Sequence, residues 1–309
     1  METPREPTLT DVELRMLCEL LRAHCGLHFG PESRYLLEKR LGRRVRELGL
    51  GSFTAYHYKL REASGDEELA RAIDDLTTND TYFLRERGQL RALVEEILPE
   101  VELRRRERGG GVPSIWCAGC SSGEEPYSIV MLALEAGLAP GRDLRVYASD
   151  ISRTMLQKAR RGAYRDASFR ETEPTLREKY FTEKDGLWRI ADSLKQHVNF
   201  IHLNLMDRTK IALLGQMDVI LCRNVIIYFD VETKRRVVQT FYEKLRPGGF
   251  LLLGHSESLM NLSSAFELRH LRRDMVYQRP PPGGSPPSDP WHAAAAAALV
   301  RSEGEGGAG

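Results

Sequence analysis

Two adjacent carboxylates follow a run of small residues near the middle of the chain. The run 118–123 reads Ala-Gly-Cys-Ser-Ser-Gly, and Glu124 and Glu125 come directly after it. Small side chains let a ligand approach the backbone closely, and the helix that follows offers free N–H groups at its start. Two carboxylates here would repel a phosphate. The pattern therefore favours a ligand with positive charge, although both acids would also suit a helix start that binds nothing.

Asp150 stands at the end of the next strand-like segment, 144–150. In nucleotide-binding sheets an acid at this place accepts hydrogen bonds from the ribose hydroxyls. The alternative is that Asp150 only caps the helix that follows it. Because the small-residue turn precedes it, the ligand role is favoured. The turn lacks the third glycine of a G-x-G-x-x-G pattern, and this absence together with the two acids argues against NAD. The acids suit S-adenosylmethionine, a nucleoside that carries an ammonium and a sulfonium but no phosphate.

Two other motifs resemble active sites of different classes. Trp116, Cys117 and Cys120 form the W-C-x-x-C pattern of thioredoxin-like proteins, but the acidic run that follows is foreign to those proteins, and their proline-bearing loop is missing. No second C-x-x-C accompanies this pair, so we expect no metal site. In the segment 254–258, Ser258 stands where a hydrolase nucleophile elbow needs its second glycine. We therefore expect neither redox nor hydrolase chemistry.

Alternating strand-like and helical segments would position these residues. The strand-like segments are 114–119, 144–150, 198–205, 217–224, 248–258 and 267–279. Helical patterns lie between most of them, which predicts an α/β sheet with parallel strands and right-handed crossovers. The last two segments could instead form an antiparallel edge pair. The ligand site is expected beyond the carboxyl ends of the parallel strands.

The residues before this sheet show only helical patterns. Thr10 and Glu13 have the spacing of a capping box, and Gly26 provides a helix stop. We predict four segments: a helical N-terminal domain at 8–82, a linker helix and hinge at 83–111, a ligand-binding α/β domain at 112–279 and a Pro- and Gly-rich disordered tail at 280–309.

Composition narrows the class of protein. The chain has 309 residues, of which 41% are hydrophobic and 29% charged, enough apolar material for a buried core. Its 45 Lys and Arg nearly balance 44 Asp and Glu, unlike a nucleic-acid-binding protein. No apolar run is long enough to span a membrane, the amino terminus has acids where a signal peptide is apolar, and five cysteines do not form a disulfide framework. We expect a cytoplasmic protein without direct membrane insertion.

Four segments match motifs of one enzyme family. They are 79–85 (Asn-Asp-Thr-Tyr-Phe-Leu-Arg), 121–128 (Ser-Ser-Gly-Glu-Glu-Pro-Tyr-Ser), 148–151 (Ala-Ser-Asp-Ile) and 222–229 (Cys-Arg-Asn-Val-Ile-Ile-Tyr-Phe). From about residue 10 to residue 279 the chain resembles the CheR family, the S-adenosylmethionine-dependent methyltransferases of bacterial chemotaxis receptors. Leu84 and Cys117 depart from the usual family residues, but neither change removes a polar contact.

The resemblance implies a fold and a cofactor site. The fold is a Rossmann-like class I methyltransferase sheet with a small all-helical N-terminal domain and a small antiparallel β insertion. In the site, Glu125 would meet the methionine ammonium, Asp150 the ribose, and Asn204 and Leu205 the adenine. The full set of implied cofactor-binding residues is Asn79, Thr81, Arg85, Glu125, Asp150, Asn204, Leu205, Arg223 and Asn224.

The resemblance also implies an activity. The chain would methylate glutamate side chains of a chemoreceptor, with S-adenosylhomocysteine as the product and with Arg85 and Tyr228 as catalytic residues. The alternative is a non-catalytic signalling module that binds the cofactor or its product. A degenerate Arg85 or Asp150 would favour that alternative, and both residues are intact.

A basic helix and a short hairpin indicate how the protein would bind a receptor. The helix 34–48 carries six cations, which indicate either a solvated face or a docking surface for the Glu-rich helices of a receptor; they are Arg34, Lys39, Arg40, Arg43, Arg44 and Arg46. No aromatic residues are interleaved with them, so we do not expect nucleic acid as a partner. The tight Asp185-Gly186 turn predicts a short hairpin, which favours direct docking by a monomer without a tether at the receptor's carboxyl terminus.

Overall fold

Four helices form the N-terminal part of the computed structural model, which describes residues 8–62, 65–281 and 283. The helices are α1 (Asp11–Cys25), α2 (Arg34–Glu47), α3 (Phe53–Arg61) and α4 (Asp66–Leu76). Thr10 and Glu13 form the predicted capping box, and Gly26 ends α1 with a φ of 79°. The tail predicted at 280–309 lies outside the described residues except for 280, 281 and 283.

The linker is one helical rod with a wider turn inside it. It consists of α5 (Arg87–Ala92), a π-helical turn (Leu93–Ile97) and α6 (Leu98–Glu107). Pro99 has no N–H to donate to the carbonyl of Glu95, and its ring crowds that carbonyl, which favours a π turn directly before it. The sequence pattern predicts the helix and its Gly-rich end but not this turn.

Strands and helices alternate through the rest of the chain. In order they are β1 (Ser114–Ala118), α7 (Glu124–Glu135), β2 (Arg145–Asp150), α8 (Arg153–Arg161), β3 (Ala163–Tyr164), α9 (Pro174–Tyr180), β4 (Phe181–Lys184), β5 (Leu187–Ile190), α10 (Asp192–Lys195), β6 (Val198–His202), α11 (Arg208–Ala212), β7 (Met217–Cys222), α12 (Val231–Lys244), β8 (Leu245–Leu253), β9 (Glu267–His270) and β10 (Met275–Gln278). Within the described ranges, no helix is both long and apolar enough to cross a membrane.

Seven strands form the main sheet, in the order β6-β2-β1-β7-β8-β10-β9. The first five are parallel, as predicted, whereas β10 runs antiparallel to β8 and pairs with β9 in a hairpin. The segment 267–279 is therefore two antiparallel strands. Helices cover both faces, so that Trp116 packs against Phe241 on one face while its neighbour Cys117 is buried in the core of the other.

A second, three-stranded sheet lies between β2 and β6 in the chain. Its order is β3-β5-β4, all antiparallel. Asp185 and Gly186, with φ of 55° and 69°, make the tight turn that the sequence predicts. The ring of Phe83, at the start of the linker, packs against Phe169 and Phe181 of this insertion. The predicted α/β architecture with a helical domain and an antiparallel insertion is confirmed.

Candidate functional site

A cavity of about 310 Å³ lies at the carboxyl ends of β1, β2 and β7, where the helical domain meets the sheet. Every site residue implied by the sequence lines it: Asn79, Thr81, Arg85, Glu125, Asp150, Asn204, Leu205, Arg223, Asn224 and Tyr228. The α1–α2 loop adds Leu27 and His28, which the sequence does not single out. Residues spread over most of the chain thus share one cavity.

The loop after β1 is held against the end of β2. Ser121 N–H donates to Asp150 Oδ2 at 2.7 Å, and Ser121 has a φ of 47°. A Cβ at Gly119 would lie 2.4 Å from Val225, and its φ is 91°, so only glycine fits there. The Ser121 hydroxyl is buried and has no hydrogen-bond partner among the described residues, although it lies in the cavity wall.

Asp150 presents a buried carboxylate whose two oxygens are each used once. Oδ1 accepts from the N–H of Ser152 at 2.8 Å, and Oδ2 accepts from Ser121. Ser152 itself caps α8, so Asp150 is not the N-cap. Burial raises the pKa of Asp150, and hydrogen bonds from backbone N–H groups, those of Ser152 and Ser121 foremost, oppose that rise. Since a carboxylate oxygen accepts two hydrogen bonds, both oxygens keep capacity for ligand hydroxyls.

Arg223 is enclosed in an ion-pair network in the wall of the cavity. Its side chain is 2% exposed and donates to Glu125 Oε2 and Glu86 Oε2, each at 2.9 Å, and to the carbonyl of Arg85 at 2.5 Å. Burial would lower the pKa of the guanidinium, but the two carboxylates outweigh this effect and raise it. Arg223 therefore orients Glu125 and the start of the linker. The sequence pattern does not indicate the role of Glu86, because Glu86 is far from Arg223 along the chain.

The helical domain helps to position the far side of the cavity. His28 N–H donates to the carbonyl of Tyr228 at 2.9 Å, and Leu27 forms a β-bridge with Phe229. The amide of Asn204 donates to the carbonyl of His24 at 2.6 Å. The cavity wall is thus shared between the helical domain and the sheet.

Arg85 lies at the junction between the two parts of the chain. Its Nη1 donates to the carbonyl of Asp80 at 2.9 Å, and the guanidinium lies 5.6 Å from the centroid of the Tyr82 ring. The side chain is 26% exposed. It keeps further N–H groups for a ligand, since a guanidinium has five.

The W-C-x-x-C pair lies in the core. Cys117 and Cys120 are 0% and 2% exposed, and burial raises the pKa of both thiols well above the ordinary value. Redox-active pairs need a lowered thiol pKa and access to substrate. The geometry agrees with the rejection of redox chemistry.

Three cations of α2 bond to other elements of the helical domain. Arg34 bonds the carbonyl of Leu9 and pairs with Asp11. Arg40 donates to carbonyls at the end of α4, and Arg44 donates to Glu68 at 2.9 and 2.6 Å. Lys39, Arg43 and Arg46 are exposed, and Arg43 pairs with Glu47 one turn along the same helix at 2.7 Å. The predicted basic surface is accordingly smaller than the sequence suggests.

The cavity fits S-adenosylmethionine. Glu125 at the start of α7 complements positive charge, Asp150 at the end of β2 suits ribose hydroxyls, and the buried amide oxygen of Asn224 lacks a partner among the described residues. With the parallel sheet and the cavity at its carboxyl edge, these features define a class I S-adenosylmethionine-dependent methyltransferase.

Comparison with known proteins identifies the family. Residues 12–77 match the all-alpha domain of CheR methyltransferases and residues 79–275 match their SAM binding domain, so the chain belongs to the CheR methyltransferase family. It is 40% identical over 277 residues to chemotaxis protein methyltransferase 2 of Vibrio cholerae, covering 89% of this chain and 95% of that protein. The chemotaxis protein methyltransferase of Escherichia coli is 37% identical over 266 residues, 84% and 89% of the two chains.

Solved methyltransferase structures also match this chain. An O-methyltransferase family protein from Burkholderia thailandensis is 14% identical, covers 89% of this chain and 86% of its own, and has a TM-score of 0.39.

Replacing Asp150 with asparagine should weaken binding of S-adenosylhomocysteine by about 1–3 kcal/mol. The amide keeps the shape, but its NH₂ would face either the Ser121 or the Ser152 N–H and could not accept from a ribose hydroxyl. Calorimetric titration measures the affinity, and Asp192→Asn, at an exposed side chain, is the matched control. Unchanged affinity in a folded Asp150→Asn variant would contradict the ribose role.

Proposed function

We propose that this protein transfers the methyl group of S-adenosylmethionine to glutamate side-chain carboxylates of a chemoreceptor. The strongest support is that a single cavity contains both groups of residues. Glu125 and Asp150, which would bind the cofactor, line it together with Arg85 and Tyr228, which would act on the acceptor. Relatives that cover most of the chain are called chemotaxis protein methyltransferases. The acceptor is a cytoplasmic receptor domain, and the enzyme acts as a monomer.

The residue inventory suits this chemistry. Bound S-adenosylmethionine supplies an electrophilic methyl group on sulfur. A glutamate carboxylate is ionised at neutral pH, so the site needs no general base. Its task is to align the carboxylate oxygen with the methyl carbon, which is a proximity effect. Arg85 binds the incoming carboxylate through charge-assisted hydrogen bonds, and the Tyr228 hydroxyl adds a second donor.

Glu125, Asp150 and Asn224 hold the cofactor from the sheet side in this proposal, and Asn79 and Thr81 line it from the domain junction. Asn204 and Leu205 flank the adenine end. Arg223 acts through Glu125, since its own guanidinium is enclosed by the carboxylates of Glu86 and Glu125.

The receptor docks on the exposed cations of α2. Lys39 and Arg43 remain exposed, and the α1–α2 loop links this helix to the Tyr228 side of the cavity. A Glu-rich receptor helix complements these charges. Arg43 keeps a 75% exposed side chain although it pairs with Glu47, whereas Arg44 is 15% exposed and bonded to Glu68, so Arg44 is not part of this surface.

Reversing Lys39 and Arg43 together to glutamate should raise the KM for a receptor fragment by about 3–10-fold, with kcat and thermal stability nearly unchanged. Added salt should reduce the difference, because exposed charges are screened within about 8–10 Å. Arg145→Glu, at an exposed site on the opposite end of the sheet, is the control. Truncating the receptor's last residues should leave the rate unchanged; a rate loss on truncation, or none on charge reversal, would contradict this docking mode.

Incubation with methyl-labelled cofactor and receptor cytoplasmic fragments tests the proposed function. Carboxyl methyl esters release their label as methanol in mild base, whereas methylated amines retain it. Base-labile label on the fragment is expected. Tight product binding without any methyl transfer would favour the non-catalytic signalling module.

A further inference from the structure

Glu257 accepts four backbone hydrogen bonds from two loops at the cavity edge. Its Oε2 accepts from the N–H groups of Asn224 at 2.7 Å and Gly254 at 2.9 Å. Its Oε1 accepts from Val225 at 2.9 Å and Ile227 at 3.3 Å. The carboxylate thus ties the loop after β7 to the loop after β8. Glu257 lies in the segment 254–258, whose sequence indicates no role for it.

The loop after β7 contains a backbone conformation that is unfavourable by itself. Asn224 has a φ of 59°, in the left-handed region that non-glycine residues rarely adopt. A Cβ at Gly254 would lie 3.0 Å from the backbone nitrogen and the side-chain amide of Asn224, so Gly254 leaves just enough room for it. Asn224 is therefore fixed from two sides.

This fixed conformation places Asn224 in the wall of the cavity. Asn224 lines the cavity, and its Oδ1 is buried without a partner among the described residues. Val225 packs at the place where a Cβ of Gly119 would be, and Tyr228 follows three residues on. One carboxylate thereby sets the position of the amide oxygen and the path of the chain to Tyr228.

We propose that Glu257 is a positioning residue of the cofactor site: it contacts no ligand itself but holds Asn224 in the conformation that binds the cofactor. Only an ionised carboxylate can accept all four hydrogen bonds, because each oxygen of Glu257 accepts from two backbone N–H groups. A glutamine would place its NH₂ against two of those donors. The part of the proposal that concerns Tyr228 rests on the proposed function, whereas the part that concerns Asn224 needs only cofactor binding.

The test measures S-adenosylhomocysteine affinity by calorimetry, with no methyl acceptor present. We expect Glu257→Gln and Asn224→Ala each to weaken binding about tenfold, and the double variant to weaken it no more than about 20-fold, because both changes remove the same contact. Glu267→Gln, at an exposed position of β9, should bind like the unaltered protein. Failure of receptor methylation would leave this result unaffected.

A second variant covers the case in which Glu257→Gln does not fold. Gly254→Ala keeps Glu257 and its own N–H but presses on Asn224, so it should weaken product binding several-fold with little change in the melting temperature. Combined with Asn224→Ala, it should add little further loss. Unchanged product affinity in folded Glu257→Gln or Gly254→Ala, or losses that multiply with that of Asn224→Ala, would overturn the proposal.

Discussion

Replacing Arg223 with methionine should lower the free energy of unfolding by about 3–5 kcal/mol, the cost of leaving buried charges without their partner. The side chains of Glu86 and Glu125 are 14% and 15% exposed, and both would lose the guanidinium that compensates them. The carbonyl of Arg85 would lose a donor as well. Chemical denaturation measures the change, and the melting temperature should fall by on the order of 10 °C.

An exposed ion pair provides the control for this effect. Arg22 pairs with Asp230 at 3.3 Å, with its side chain 53% exposed, so Arg22→Met should cost less than about 1 kcal/mol. Arg223→Lys keeps the positive charge but cannot bond Glu86 and Glu125 at the same time with the geometry of a guanidinium. It should therefore recover only part of the lost stability. Equal losses for Arg223→Met and Arg22→Met would contradict the buried network.

Replacing Arg85 with alanine should lower kcat for methyl transfer by about 100-fold, because a preorganised donor that aligns the acceptor carboxylate is lost. Its ion pair with Asp80 spans 3.8 Å and Asp80 is 60% exposed, so stability should change by less than about 1 kcal/mol. Single-turnover kinetics with saturating cofactor and thermal melting measure the two effects separately.

Arg87→Ala is the matched control for Arg85→Ala. Arg87 is two residues along the same segment but pairs with Glu173 and does not line the cavity. It should keep normal turnover. Early unfolding of Arg85→Ala, with full activity in the fraction that stays folded, would make Arg85 a structural residue instead.

The sheet and the carboxyl-edge cavity were predictable because they depend on local patterns. The helix and strand periods indicate a parallel sheet, and the small turn at 118–123 and Asp150 follow two strands whose carboxyl ends must meet at one edge. The pairing of Glu86 with Arg223 and the hold of Glu257 on Asn224 were not predictable, since each joins residues that are close only after folding.

The partners of the charged residues on α2 were also not predictable from the sequence. Periodicity places all six cations on one helix, but it does not reveal that Arg40 caps the end of α4 or that Arg44 pairs with Glu68. The π turn before Pro99 is similar: proline predicts a disturbed helix but not which kind of turn accommodates it. Local sequence patterns predict the helices and strands, whereas tertiary contacts determine which polar side chains are available to a partner.

Mass spectrometry of a receptor cytoplasmic fragment, after incubation with this protein and S-adenosylmethionine, tests the central claim most directly. The account predicts added methyl groups on glutamate side chains, removed by mild base, absent when those glutamates are replaced by alanine, and strongly reduced with Arg85→Ala. Methyl groups on lysine or arginine, or an unmodified fragment although S-adenosylhomocysteine binds normally, would contradict it.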